Sequence, residues 1–424
     1  MTAPTLERPA WRYAAFFAAY LYQGLVAGFS LTALANHYAA LGFAAAEVGR
    51  HFALAGLPWT VQPLLWGPLV DRGAASRLGR RRFWWVAGFL GTQGALALLL
   101  LVPDVRAIGL VSAVFCLHSA FAALLDTATD RLIMDHVPKD ALGRTSACTR
   151  AGFVTGTAAG ALLFSWSLER VGFAPSVWLL LATSALAGLL PLLVREAPGD
   201  ALLVGGPPAG PAPPRRPVRL RRLLRRLVVP LRRRESLVLI GLCFAVDAAL
   251  GLFEVRFGVA LIQDQGWDAA LLSRAQAGLA FVAGTLGALA VGLWSDRAGP
   301  LRALRLLLLA CAASFAGIAG LIAGGAAGAA GPAILALSSV APSLLIVALV
   351  PAVMRMSQGR AGAATQFEIT MAALNLGDVA GAAAAGPLAP WLGLAGAAAL
   401  AGTVFALCAL LAGRTARRAP AGRR

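Results

Sequence analysis

Charge is scarce in this sequence. Asp, Glu, Lys and Arg make up 13% of its 424 residues, about half the share of an ordinary soluble domain, while hydrophobic residues reach 59%. A core in water cannot bury that excess, which excludes a soluble globular chain. Metal and disulfide signatures are missing too. Cys116, Cys148, Cys243, Cys311 and Cys408 all fall within or beside apolar runs and none stands in CxxC spacing, so neither a disulfide framework nor a zinc site is expected. The sequence has no GxxxxGK[ST] loop to cradle phosphates and no HExxH pair, which argues against ATP-driven transport and a membrane metalloprotease. No convergent nucleophile, base or metal set stands out, so an enzyme is not expected and neither is a cofactor.

Long apolar runs are what the sequence has in abundance. A helix needs ~20 mostly apolar residues to cross a hydrocarbon layer ~30 Å thick. Such runs lie near 13–36, 49–70, 83–102, 107–132, 147–167, 175–194, 237–261, 271–294, 302–322, 332–354, 364–384 and 392–412, giving about twelve spans. The first, Tyr13 to Ala35, is long enough to span and lacks a small-residue cleavage site, so it reads as a span and not a signal peptide. The net charge of +18 would suggest nucleic acid in a soluble protein, but the positions of the basic residues point elsewhere. They fall at Arg8 and Arg12, Arg72 to Arg82, Lys139, Arg144, Arg150, the central loop Arg195 to Arg234, Arg297 to Arg305, Arg355, Arg360 and Arg414 to Arg424. With an even number of spans these share one side, and only Arg50, Arg106, Arg170, Arg274 and little else remain opposite. The positive-inside rule then puts both termini in the cytoplasm of a multi-pass protein of a bacterial-type inner membrane, with the lipid bilayer as partner and no nucleic acid.

The chain also repeats itself. Gly67-Pro68-Leu69-Val70-Asp71-Arg72, ending Gly79-Arg80-Arg81-Arg82, recurs as Gly292-Leu293-Trp294-Ser295-Asp296-Arg297-Ala298-Gly299, with 225 residues between Asp71 and Asp296. The same offset carries Gly152 and Gly156 of the fifth span onto Gly377 and Gly381, small residues four apart that let helices approach closely. The expected architecture is all-α, with two pseudo-symmetric six-helix halves at 1–195 and 236–413, a basic Pro/Gly-rich cytoplasmic linker at 196–235 and a basic tail at 414–424. In the linker, Gly205-Gly206-Pro207-Pro208 and Pro211 to Pro217 precede a segment in which Leu220, Leu223, Leu224 and Leu227 oppose Arg222, Arg225 and Arg226. That segment either lies on the anionic inner leaflet or only sets topology.

The duplicated Gly–Asp–Arg loop resembles the signature loop of the major facilitator superfamily over essentially the whole chain. Tyr22-Gln23-Gly24-Leu25, Leu65-Trp66 leading into Gly67 to Arg82, the acidic series Asp126, Asp130 and Asp135, and Ala364-Thr365-Gln366-Phe367 resemble its branch of AmpG muropeptide permeases, acetyl-CoA transporters and siderophore importers. Val26 replaces the branch's Pro and Pro63 its basic residue, and the central loop is too short and charged for the two extra spans of AmpG permeases. The siderophore-type importers are therefore the nearer match. The resemblance implies a secondary transporter with alternating access, no cofactor beyond the proton gradient that powers it, and a monomer.

Buried polar residues mark where such a transporter would work, because a charge at helix centre costs roughly 2.5–3.5 kcal/mol on insertion scales. Asp247 lies about 15 Å into the seventh span, near the midplane, and corresponds by the repeat to Tyr22 beside Gln23. Gln23 and Asp247 either line a substrate cavity, with Trp59 and Asn375 as further contacts, or serve as interhelical glue. Asp126 and Asp130 share one face of the fourth span and Arg150 enters from the same side, so a carboxylate that makes and breaks an Arg contact can couple protons. Asp126, Asp247 and Arg150 are the coupling candidates. Asp71, Arg72, Asp130, Arg131, Asp296 and Arg297 are expected at a cytoplasmic gate, and Glu254 and Arg256 at an outer vestibule. Gln366, Glu368, Asn375 and Asp378 form a polar series along the eleventh span, and His118 reads as a packed intramembrane His. The reading is proton-coupled uptake of a medium-sized polar or amphipathic solute, siderophore-type first and muropeptide-type next. The alternatives are a proton-coupled exporter of a metabolite or drug, or, in another class, a membrane receptor or membrane-embedded enzyme.

Overall fold

The computed structural model describes residues 4–34, 37, 38, 41, 45–202, 234–267, 275, 278, 279, 281, 282, 286–358, 363–385, 388 and 391–418, apart from the side chains at 45–50, 52, 53, 255, 258, 259, 262, 263, 356, 364, 382, 383, 385 and 415–418. The Pro/Gly stretch and the Leu/Arg segment of the linker, Arg274, Arg360, the last six residues and the side chains of Arg50 and Ala364 lie outside the described residues.

The described residues are mostly helical. The long helices are α1 (Pro9–Ala27), α2 (Ala45–Arg72), α3 (Arg82–Ala97), α4 (Ile108–His136), α5 (Leu142–Arg170), α6 (Phe173–Leu193), α7 (Arg234–Gln263), α8 (Ala288–Ala298), α9 (Pro300–Ala323), α10 (Gly331–Ser357), α11 (Ala363–Ala385) and α12 (Leu394–Arg418). Among the described residues nine helices are long and apolar enough to cross a membrane. Leu64, Leu101, Leu162 and Leu186 point outward, a cost in water and a gain in hydrocarbon. The helix α2 keeps Pro58, Pro63 and Pro68 inside one helix, which packed helices tolerate where neighbouring groups satisfy the freed carbonyls. Proline starts α1 and α9, where its fixed φ suits the first turn and its missing N–H is not needed.

The chain forms two compact units. One is drawn from Met1–Val137, Cys148–Val228 and Ser357–Glu368, the other from Pro138–Ala147, Val229–Met356 and Ile369–Arg424. In the first, α2 and α3 pack on α4, and α1 packs on α6. In the second, α12 packs on α7 and α9. The repeat reappears inside each unit as a close helix pair. A Cβ at Gly156 of α5 would overlap the carbonyl of Leu21 in α1, and a Cβ at Gly381 of α11 would overlap the carbonyl of Ala248 in α7. Only glycine permits backbones this close.

The loop from 73 to 81 turns at two positive-φ glycines, Gly73 and Gly79, a conformation other residues rarely adopt. It is anchored from the far end of α6. Glu196 accepts the backbone N–H groups of Arg81 (2.8 Å) and Arg82 (2.9 Å), filling the N-terminus of α3 with a carboxylate. Leu6 N–H donates to Arg195 O (2.9 Å) and Arg195 N–H to Pro4 O (3.0 Å), tying the start of the chain to the same segment.

Candidate functional site

Helical spacing in the first unit brings polar side chains of four helices together. Three residues apart on α1, Tyr20 and Gln23 share a face; Gln62 comes from α2, Asp126 and Asp130 from α4, and Glu368 from the first turns of α11. Tyr20 Oη donates to Asp130 Oδ1 (2.8 Å), Gln23 Nε2 to Asp126 Oδ1 (3.2 Å), and Gln62 Nε2 to Asp126 Oδ2 (3.5 Å) and Thr127 Oγ1 (3.0 Å). One oxygen from each of Asp126, Asp130 and Glu368 lies within 4.8 Å of the others. Asp130 (3% exposed) and Glu368 (2%) are buried, while Asp126 is the partly accessible member.

Among the described residues none of the three carboxylates forms an ion pair. Two ionised groups 4.8 Å apart would repel by about 3.5 kcal/mol at an effective dielectric of about 20. Three such charges without a counter-ion are costly in an apolar interior. Asp126 thus does not pair with Arg150 as its position suggested. It faces the amides of α1 and α2, and the Arg150 guanidinium lies 5.7 Å from the Phe153 ring centroid.

A separate network surrounds the end of α2. Asp71 accepts from Thr365 N–H and Oγ1 (both 2.9 Å) and pairs with Arg131 (3.2 Å). Arg131 also pairs with Asp135 (2.8 Å), and Asp135 with Arg81 (3.2 Å). Burial and the nearby Arg131 pull the Arg81 guanidinium down to about 10. Gln358 donates to the carbonyls of Met134 (2.9 Å) and Val137 (2.8 Å). Asp130, grouped with Arg131 by sequence, belongs with Asp126 instead. Positions 126 and 130 are one helical turn apart, whereas 131 and 135 project about 100° away, toward Asp71. Arg72 is exposed, and its carbonyl accepts from Arg80 (3.1 Å).

In the second unit the repeat of this loop uses the same chemistry. Asp296 accepts from Gly143 N–H (2.7 Å), Arg144 N–H and Arg144 Nε (both 2.9 Å), capping the start of α5, and Arg297 is exposed. Asp247 and Asn375 are half-buried there. Glu254, expected in a vestibule, has its Oε1 shut away from solvent without a hydrogen bond and senses the charges of Asp378 and Asp247. Arg256 donates to Leu392 O. Trp59, in the first unit, is half-buried.

Sequence reasoning passed over Tyr20, Gln62 and His51. His51 is fully buried and bridges Ser30 Oγ (3.2 Å) in the π-helical turn Gly28–Ala33 and Ser112 Oγ (3.0 Å) in α4. Tyr20 sits three residues from Gln23, a spacing that would have flagged it. Glu368 was visible only as part of a polar series, since nothing local places it beside α4. His118 is buried edge-on to Phe115, with ring centroids 6.1 Å apart.

The sequence profile of the Major Facilitator Superfamily matches residues 13–367. No curated protein matches the chain in sequence. Similar solved structures include a single-substitution form of the E. coli fucose:proton symporter FucP (14% identity, TM-score 0.72, covering 96% of this chain and 98% of that one). The human organic anion transporter TETRAN is also similar (16%, 0.65, 96% and 100%), as is a bacterial homologue of the iron transporter ferroportin in an outward-facing state (13%, 0.62, 96% and 100%). At these identities the likeness concerns the fold.

Proposed function

The chain belongs to the Major Facilitator Superfamily, and from that premise we propose that it is a proton-coupled secondary transporter importing a medium-sized polar or amphipathic solute, of siderophore type. One observation carries the coupling: a partly accessible carboxylate, Asp126, opens onto two buried ones, with amide and hydroxyl partners and no ion pair. An acid so placed takes a proton from one aqueous side and must give it up before the cycle closes, which links proton flow to conformational exchange. Gln23 donates to Oδ1 of Asp126 and Gln62 to Oδ2, so when one oxygen takes a proton the other stays a carbonyl and keeps its glutamine.

The solute class rests on the Tyr22-Gln23-Gly24-Leu25 and Leu65 to Arg72 segments and their resemblance to siderophore importers. Muropeptide-type solutes come next. The test is uptake of ferrichrome carrying radiolabelled iron into proteoliposomes under an imposed inward proton gradient. Accumulation should collapse on adding a protonophore and fall by roughly 10²-fold in Asp126→Asn, the scale of a lost proton-transfer group. Equal accumulation with and without the gradient sinks proton coupling, and extrusion in place of uptake makes the chain an exporter.

A further inference from the structure

The first unit carries an open groove that the transport reading does not use. It has a volume of about 630 Å³ and is lined by Tyr13, Phe17 and Leu25 of α1 and by Leu186 and Leu190 of α6. Along α1 the lining runs from Tyr13 to Leu25, a rise of ~18 Å at about 1.5 Å per residue. That is close to the depth of one leaflet, half of a hydrocarbon layer ~30 Å thick. Apart from the Tyr13 hydroxyl at one end, its polar groups are engaged within the protein. Thr183 Oγ1 donates to Leu179 O (2.7 Å) and Cys148 Sγ to Tyr13 O (3.6 Å). A polar solute would lose its water along these walls and gain few partners, whereas an alkyl chain gains by burial.

The end of the groove at Tyr13 is basic. Arg8 is the exposed N-cap of α1, a helix with no side-chain cap and no acid in its first turn. Arg195 is tied to Leu6, two residues before Arg8, through Leu6 N–H to Arg195 O (2.9 Å), and its Nε is shut from solvent without an acceptor. Glu196 and Asp200 are spent on backbone N–H groups of Arg81, Arg82 and Ala197, which leaves Glu7 as the one exposed acid against Arg8 and Arg195. Trp11, 39% exposed, stands at the same level, the place of aromatic rings at a membrane surface. We propose that this groove binds one anionic phospholipid, with an acyl chain between α1 and α6 and the phosphate on Arg8, Arg195 and the first N–H groups of α1. By the positive-inside rule this end belongs to the cytoplasmic leaflet, whose anionic head groups attract such arginines. The site uses none of the carboxylates near Asp126 and is independent of the solute.

Native mass spectrometry of the full chain, released from dodecyl maltoside micelles, counts bound lipids directly. Titrated with dioleoyl phosphatidylglycerol, the wild type should hold one lipid about tenfold more tightly than it holds dioleoyl phosphatidylcholine. Ala187→Trp, which fills the groove from α6, should lose that tight site. Ala14→Trp fills it from α1 and gives the same reading should Ala187→Trp misfold, which its circular dichroism would show. The double variant Arg8→Gln and Arg195→Gln should still bind a lipid but no longer prefer the anionic head group. Equal wild-type affinity for the two lipids overturns the proposal. So does a tight site that persists in a folded tryptophan variant, or an arginine double variant that still prefers phosphatidylglycerol.

Discussion

Asp71 and Asp126 are both acids of the first unit, and their surroundings assign them opposite duties. Asp71, with its side chain 1% exposed, is satisfied by Thr365 N–H and Oγ1 and neutralised by Arg131. Removing its carboxylate leaves two donors and a guanidinium short of an acceptor. Asp71→Ala should therefore cost about 1.5–3 kcal/mol, seen as an earlier unfolding transition of the detergent-solubilised protein. Asp126→Asn should leave that transition almost unmoved, because the amide keeps the size and one acceptor oxygen, and the glutamine facing the new N–H can turn its own carbonyl toward it. A large stability loss in the second variant would show that Asp126 is structural. The difference between these acids was only partly legible in the sequence. The repeated Gly–Asp–Arg loop singled out Asp71, and the four-residue spacing announced that Asp126 and Asp130 share a face. That Arg131 turns to Asp71 while Asp130 turns to Tyr20 follows from neighbours on other helices, which no local pattern contains.

At the scale of elements, glycine decides which helices touch backbone to backbone. Gly156 meets the main chain of α1 at Leu21 and Leu25, atoms that cannot step aside, whereas a Cβ at Gly94 of α3 meets nothing within 4 Å. Gly156→Leu should therefore abolish the folded species in size-exclusion chromatography, exceeding the roughly 1–3 kcal/mol typical of overpacking. Gly94→Leu should elute as wild type; equal behaviour of the two would contradict the close α1 and α5 contact. This contact was readable in advance because Gly152 and Gly156 recur as Gly377 and Gly381, and a repeat offset is a pattern along the chain. The site was less readable for the opposite reason. Gln23 and Asp126 lie far apart in sequence, and Glu368 farther still, so their meeting depends on how α1, α4 and the start of α11 pack.

For the whole molecule, the excess of Arg on alternate loops predicts how the chain is threaded through the bilayer. Arg77 is exposed in the basic loop between α2 and α3, and Arg106 is exposed in the sparse loop between α3 and α4. The helix α3 separates them, so they must emerge on opposite faces if α3 spans. Basic residues resist translocation, and the stretch from Arg72 to Arg82 carries Arg72, Arg80, Arg81 and Arg82 besides Arg77, against Arg106 alone on the other side. In a background without the five native cysteines, Arg77→Cys should react with a membrane-impermeant maleimide only in inside-out vesicles. Arg106→Cys should react only in right-side-out cells. The reverse pattern would invert the chain in the bilayer. The sign of transport follows from whether solute and proton move together or oppositely under the gradient, so these two cysteines read the threading alone, and they do so without knowledge of the solute.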